Sequence, residues 1–572
     1  MQKFRRYSNA GGMVCNTNPL LLKEEDCELL LNTDTDTIGT WKKRPGTRLR
    51  GSQIVSGVDI NGLHYYKNSA GTASNVFAVC NDSGPTNADI YTLVSTTLNG
   101  AITTASTSIV LTSGASFANS GTIEIEGDLI TYTGKSTHTL TGVTGISFGH
   151  ATGITVRQWT TSLTDDTKSL KTRFKDFLDR AIRINGTDVM KVWNGTSWET
   201  TGVPINPQQA TAASFIELFG DRVFLAGATI FPDRLYASSL PSVTGAITWS
   251  TSSSIIDKYG TNGFYIDINP EDSQNVTALE RNGAYLLIFK ERSMFTWNGS
   301  STQPDMLVDV GAVSQEAVTT VHNITFFIGR SKKDLGIYAY SGGSTNSGGV
   351  PKLISRKVQK WVDAINQADL ASLRTGSDDN NVYFYIGNIT FTGDDIYQDR
   401  TFSNVWLVYS ISQDSWRVYD NLHAHYFGQI TSSGQELLVF GDNNGKVWEF
   451  GQGTTDDGGD AKTPISMEVI TREEHFSVPE LSKSLGRMDV LSRRAFETNV
   501  RYRYDRNDDW KSLGELNGRF TTLDCPEYGD EDNAGNTLQL QFSDYSKYQA
   551  SIDGFTINVG IDTEVVKPNG GK

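Results

Sequence analysis

Between about residue 168 and residue 451 one short pattern recurs. An alternating apolar strand meets a turn, and a second strand follows that ends in an aromatic residue. Ala181 to Asn185, then Val189 to Trp193 and Asn194-Gly195, is one unit. Asp221 to Ala226 with Arg234 to Ala237, Ala284 to Lys290 with Ser293 to Asn298-Gly299, and Ile324 to Gly329 with Gly336 to Tyr340 repeat it, as do Val382 to Gly387 with Val405 to Tyr409 and Glu436 to Phe440 with Lys446 to Phe450. Trp249 to Trp297 spans 48 residues, Trp297 to Tyr338 41 and Trp406 to Trp448 42. A period of roughly 40 to 50 residues built from short strands is that of propeller blades. One blade cannot bury both its faces, so neighbours must stack, and aromatics at equivalent positions fill the wedges between them. Stacked sandwiches are the competing arrangement, because periodicity does not fix how sheets close. The pattern allows five to seven blades.

The rest of the chain divides around this body. The fold class expected is all-β: a β-propeller body, an inserted small β-hairpin module and a carboxy-terminal β-sandwich-like domain. Residues 1–50 read as a docking arm, since Asn9, Gly11, Gly12, Asn16, Asn18 and Pro19 interrupt regular structure between short apolar anchors at Leu20 to Leu22 and Leu29 to Leu31. Such an arm needs another surface to hold it. Arg44-Pro45-Gly46 has the residues of a type II turn, and a first strand is expected at Gln53 to Val58. Residues 51–95 and 159–451 form the propeller. In the module, residues 96–158, period-two runs at Thr122 to Glu126 and Leu129 to Thr133 flank a tight Glu126-Gly127-Asp128 connection. Helical spacing of Val358, Trp361, Val362 and Ile365 predicts a short amphipathic helix with Ser355 as its cap, whereas Leu170 to Leu178 reads as strand. Residues 452–460 are a glycine-rich acidic linker. In the carboxy-terminal domain, 461–572, strands are expected at Ile465 to Ile470, Leu485 to Leu491, Thr498 to Tyr504, Thr537 to Phe542 and Phe555 to Val559, with an exposed acidic loop at 521–536.

Composition narrows the function classes. No window approaches the roughly 18 apolar residues of a membrane helix, and the basic start MQKFRRYSNAGG lacks the apolar stretch of a secretory signal, so folding in a cytoplasm is expected. Cys15, Cys27, Cys80 and Cys525 have neither disulfide-framework nor CxxC spacing and read as reduced. Net charge is −15, against the basic balance of a protein that wraps nucleic acid. The basic clusters, Lys3, Arg5 and Arg6, then Lys42, Lys43, Arg44, Arg48 and Arg50, read as solvated or protein-contacting.

Catalytic and metal patterns are weak. Ser410 to Trp416 (SISQDSW) lacks the glycine and spacing of a sialidase Asp-box and reads as a turn. Asp505 to Asp509 begins like a calcium loop, but Trp510 stands at the required glycine and Leu516 at the bidentate glutamate. His423 and His425 share a strand face without partners to complete a zinc site. No catalytic residue, cofactor or metal is assigned, and the chain is read as non-enzymatic.

The arm also carries a likeness. Gly11-Gly12, Asn18-Pro19-Leu20-Leu21, an acidic patch ending in Leu29-Leu30-Leu31-Asn32, then Gly39 and Lys43-Arg44-Pro45-Gly46 stand in order. WNGTSW at Trp193 to Trp198, LLIFKERSMFTWNG at Leu286 to Gly299 and FGDNNGKVWEF at Phe440 to Phe450 follow. The chain resembles bacteriophage tail-hub β-propeller proteins, the group that includes tail nozzle (tail tubular) and packaged-DNA stabilisation proteins of short-tailed phages. The resemblance implies a virion tail protein, assembled in the host cytoplasm as a homohexameric ring below the portal and adaptor. Such a ring retains packaged double-stranded DNA, passes it at ejection without tight binding, and offers its outer surface to tail fibres or other tail proteins. The arm residues expected to make protein contacts are Arg5, Arg6, Leu21, Leu22, Lys43 and Arg44. The competing reading is a receptor- or glycan-binding, or depolymerising, propeller of the tail.

Overall fold

The computed structural model describes residues 2–6, 11–18, 21–35, 39–82, 84, 86–199, 212–243, 245–249, 261–299, 301, 303–342, 349–393, 396–397, 399–432, 434–456, 463–506, 509–526 and 533–561. The recurring hairpins are the middle of antiparallel blades of four core strands, to which the module's hairpin adds two in blade 1 and Gly311–Ala312 adds one in blade 5. Blade 1 is Ile60–Lys67, Ser74–Asn81, Asn87–Thr97 and Thr155–Thr167. Blade 2 is Arg173–Phe177, Arg180–Ile184, Lys191–Trp193 and Trp198–Glu199, and blade 3 is Phe215–Phe219, Arg222–Ala226, Arg234–Ala237 and Phe264–Asp267. Blade 4 is Val276–Asn282, Tyr285–Lys290, Met294–Trp297 and Asp305–Val308, and blade 5 is Val318–Val321, Ile324–Arg330, Leu335–Tyr340 and Lys352–Leu353. Blade 6 is Arg374–Ser377, Asn381–Thr390, Thr401–Ser410 and Ser415–Tyr419. Blade 7 takes Tyr426–Ser432, Gln435–Gly441 and Val447–Phe450 from the end of the body and its outer strand, Thr47–Leu49, from the arm.

The first strands of successive blades lie side by side, and that of blade 7 lies against that of blade 1. The ring is therefore a closed seven-bladed β-propeller. Aromatics wedge between blades as the repeat predicts: Phe77 meets Trp193 and Trp198 between blades 1 and 2, Phe224 and Phe264 meet Trp297 between blades 3 and 4, and Trp406 meets Phe440 and Phe450 between blades 6 and 7.

The module grows from blade 1, whose last two strands pair out to Thr97 and Thr155. Residues 98–154 hold a core of their own around Ile109, Ile123, Ile125, Ile130 and Leu140. Its hairpin Gly121–Ile125 and Asp128–Tyr132 turns through Glu126 (φ 53°) and Gly127 (φ 88°), a two-residue turn with both central residues left-handed.

The carboxy-terminal sandwich contains the expected strands, here Met467–Thr471, Lys483–Arg493, Thr498–Tyr504, Leu538–Asp544 and Ser551–Ile561, with Lys511–Glu515 and Phe520–Asp524 added. The latter strand occupies the start of the region expected as an acidic loop, and residues 527–532 lie outside the described residues. Both sheets borrow from the arm. Gln2–Arg6 and Trp41–Lys43 pair with one edge of Ser551–Ile561. Asp26–Leu31 lies between Ser415–Tyr419 of blade 6, in parallel, and Met467–Thr471 of the sandwich, antiparallel. One ten-stranded sheet thus runs from the propeller into the sandwich.

Four local expectations are corrected. Residues 53–58 form no strand; they run around the blade 7 turn, with the Ile54 amide donating to Gly445 O at 2.8 Å. Gly46 is not left-handed. Its requirement is close approach, since a Cβ there would stand 1.9 Å from Thr455 O. The expected linker begins with a short strand, Thr455–Asp456. The helix at Gln359–Asp363 buries Val358, Trp361, Val362 and Ile365 as its spacing predicts, but Ser355 does not cap it; its hydroxyl accepts from the Ile337 amide and donates to Gln359.

Candidate functional site

Two sets of polar residues are built by this topology. The first is the arm's anchorage. Between Asp26–Leu31 and Trp41–Lys43 the chain turns at Asn32 (φ 50°), a left-handed position that asparagine tolerates better than most residues. Its Nδ2 donates to Asp420 Oδ1 in blade 6 (2.6 Å) and to Ser466 O beside the sandwich (2.8 Å), and its Oδ1 accepts from the Asp420 amide and from Arg44 Nε (2.9 Å). One side chain ties arm, propeller and sandwich.

The predicted contact residues divide around this point. Lys43 is fully buried and ion-paired with Asp544. Burial pushes the Lys43 ammonium down; it would push the Asp544 carboxyl up, but hydrogen bonds from Lys43, Thr498 and Ser546 hold that carboxyl below its ordinary range. Arg44 grips Asp456 with both nitrogens of its fork, at 2.9 and 2.7 Å. Arg48 and Arg50 both pair with Glu449. Leu22 is buried, and its carbonyl accepts from Arg472. The surface that holds these residues is therefore the chain's own, not a neighbour's. Of the predicted contact residues whose side chains are described, Leu21 is the one open to a partner, at 74% exposure. Arg5 and Arg6 pair through their backbones with Thr556 and Phe555, and their side chains lie outside the described residues.

The second set was not anticipated. Along the propeller axis lies a cavity of about 260 Å³, lined from the first strands of blades 2, 3, 5, 6 and 7. Arg173 Nη2 pairs with Glu316 Oε1 at 2.5 Å, and Lys175 Nζ with Glu217 Oε2 at 2.7 Å. Arg374, 3% exposed, spends Nε on His425 O (2.9 Å) and Nη1 on Ala371 O and Leu373 O. Lys171 Nζ points at the same His425 carbonyl, 3.5 Å away. The His425 ring stands 3.3 Å from Asp59.

Burial and crowding shift these groups strongly. Burial, then the neighbouring Arg374, pushes Lys171 down to about 7. Burial, then Lys171 and Arg374, takes His425 down to about 3. Burial and the like charge of Glu217 raise Glu280 to about 7 against the pull of Lys175. Burial would raise Glu316 too, but Arg173, Arg374 and Lys171 hold it below its ordinary range. The sequence did contain a signal for this site: RFKDF, FIELF and TALERN place charges between apolar residues on strands that open blades.

These sheets define a class: a closed seven-bladed β-propeller fused to a β-sandwich that its own amino-terminal arm completes. No protein-family model matches the chain, and no curated relative matches it. Among solved structures, it is similar to YCF48 from Cyanidioschyzon merolae (11% identity, 63% of this chain and 98% of that one, TM-score 0.28). It is also similar to the WD40 domain of SCAP from fission yeast (10%, 71% and 98%, TM-score 0.30) and the Neurospora crassa Pan2 WD40 domain (8%, 62% and 89%, TM-score 0.29). At these scores the propeller assignment rests on the chain's own strand pairing.

Proposed function

We propose that this protein is a non-enzymatic structural component of a short-tailed phage tail. Copies of the chain form a nozzle or hub ring of six below the portal and adaptor, which retains packaged DNA and conducts it at ejection. The observation that best supports this reading is the weaving of the arm. Its strands enter both sheets of the sandwich and close blade 7, so propeller and sandwich form one continuous block. A subunit of a ring under pressure benefits from such continuity, because shared strands carry load from one part to the other.

On this reading the DNA path is the bore between subunits. The propeller's axial cavity is far smaller than a duplex and is crossed by paired side chains. The net charge of −15 favours passage over capture, since each lysine or arginine placed on a phosphate would add affinity. Of the arm residues, Leu21 is an exposed contact offered to a connector protein, with Arg5 and Arg6 proposed beside it.

Electron microscopy of the purified chain, alone and mixed with a portal–adaptor complex, tests the proposal. A six-fold ring with an open bore, docked on the adaptor, is expected. A protein that stays monomeric in both preparations overturns it.

A further inference from the structure

We propose that the axial cavity of the propeller binds a small oxyanion, the carboxylate or phosphate group of a ligand of about sugar size, on Arg374 beside Arg173. Three observations carry this. The first is a charge excess. The cavity wall carries Arg173, Lys175 and Arg374 but one carboxylate, Glu316. Glu316 is taken by Arg173 and Lys175 is paired with Glu217, so among the described residues Arg374 is the one of these three cations with no carboxylate within ion-pair reach. Buried cations are normally paired, because an unpaired one loses its hydration without compensation.

The second is geometric. Arg374 is locked by three backbone carbonyls through Nε and Nη1, and no hydrogen bond among the described residues engages its Nη2. Arg173, beside it, is held by Ser214 O through Nη1 (2.6 Å) and by Glu316 through Nη2. A guanidinium held rigid with a donor left unused suits the recognition of carboxylate or phosphate. The third is the cavity itself. At about 260 Å³ it exceeds what a lone anion fills, and its wall adds Gln429 and Ser377 to the apolar Phe174 and Phe427. A ligand with an anionic head and a hydroxylated body fits that mixture.

Calorimetric titration of the full chain with glucuronate, inorganic phosphate and neutral glucose, each against sodium chloride of equal ionic strength, tests the inference. Saturable heat from glucuronate alone assigns a carboxylate-bearing ligand, heat from phosphate alone a phosphate-bearing one, and heat from both the shared oxyanion chemistry. Arg374→Gln is expected to weaken binding about ten- to a hundred-fold, the loss of hydrogen bonds to a charged group. Arg374→Lys, which keeps the charge and loses the fork, should fall between. If the Arg374 variants fail to fold, Gln429→Ala on the cavity wall carries the test, with weaker binding expected. The inference is overturned if neither anion gives heat beyond chloride, if glucose binds as well as glucuronate, or if affinity survives these substitutions. None of these outcomes depends on ring formation.

Discussion

Single side chains in this protein are asked to hold charge where water is scarce, and each does so in a way that pH or substitution can expose. Lys171 in the folded chain titrates near 7, while the unfolded chain has the ordinary value near 10.5. Between those limits the unfolded state binds the additional proton, so stability rises with pH through that window. Lys171→Met should flatten the rise, as read from urea midpoints above neutrality; an unchanged slope would mean that the ammonium is solvated. Glu280 has the opposite sign. Its folded value near 7 lies above the ordinary 4.5, so the native state holds the extra proton and stability falls as pH rises between them. His425, depressed to about 3, opposes Glu280 over part of the same range, so Glu280→Gln against the parent chain isolates the carboxyl. In that comparison the variant's midpoint should fall less steeply from acid to neutral pH. At the arm, Lys43→Met strands the Asp544 carboxylate in the interior, and a cost of roughly 3 to 5 kcal/mol is expected in denaturant unfolding. Adding Asp544→Asn should recover part of it. A loss below about 1 kcal/mol would place the pair with ordinary surface contacts.

At the scale of elements, the module is the most separable piece. Both of its flanking strands end in one hairpin, with Thr97 opposite Thr155, and most of its core is its own, although Gly121–Ile125 pairs with Thr155–Thr167, Val156 joins the core and Leu129 packs on the blade 6–7 cluster. Replacing residues 98–154 by Asn-Gly should therefore leave a cooperatively folding propeller, checked by circular dichroism and thermal unfolding. Loss of cooperative folding would mean that the contacts of Glu124 with Arg157 and the Gly51 amide are essential. The module was legible because alternation and turn chemistry are local. So were the middle strands of blades 2 to 7, whose apolar runs follow one another in the sequence, with Asn-Gly turns in blades 2, 4 and 7. The outer strand of blade 7 was not. Thr47–Leu49 pairs with residues some four hundred positions later, and nothing near Arg48 announces Glu449 as its partner. Pro45-Gly46 misled for a similar reason: its turn residues are real, but Gly46 answers to the distant Thr455 backbone. The axial cluster escaped because its charges stand on separate blades, Arg173 and Lys175 on blade 2, Glu316 before blade 5 and Arg374 on blade 6, and only closure of the ring brings them together.

For the whole molecule, the decisive feature is that neither half of the sandwich's hydrophobic core belongs to one end of the chain. Leu29, Leu30, Leu31 and Trp41 of the arm are at most 1% exposed and pack in one cluster with Leu485, Met488, Phe542 and Phe555. Burying four such side chains is worth at most about 6 to 12 kcal/mol. That is comparable to the entire stability of an ordinary domain, about 5 to 15 kcal/mol. The carboxy-terminal segment without the arm should then fail to hold a native core. Expressed alone, residues 463–561 are expected to be insoluble or to lack protected amides in hydrogen exchange, and co-expression with residues 1–50 should restore protection in Met467–Thr471 and Ser551–Ile561, the strands the arm pairs with. Removing only residues 1–20 takes away the edge strand Gln2–Arg6 and the buried Met13 and Cys15, so it too should loosen the sandwich rather than free a dispensable tail. If the isolated segment folds cooperatively by itself, the arm is a clasp on a finished domain, and the continuity that supports a ring subunit loses its physical basis.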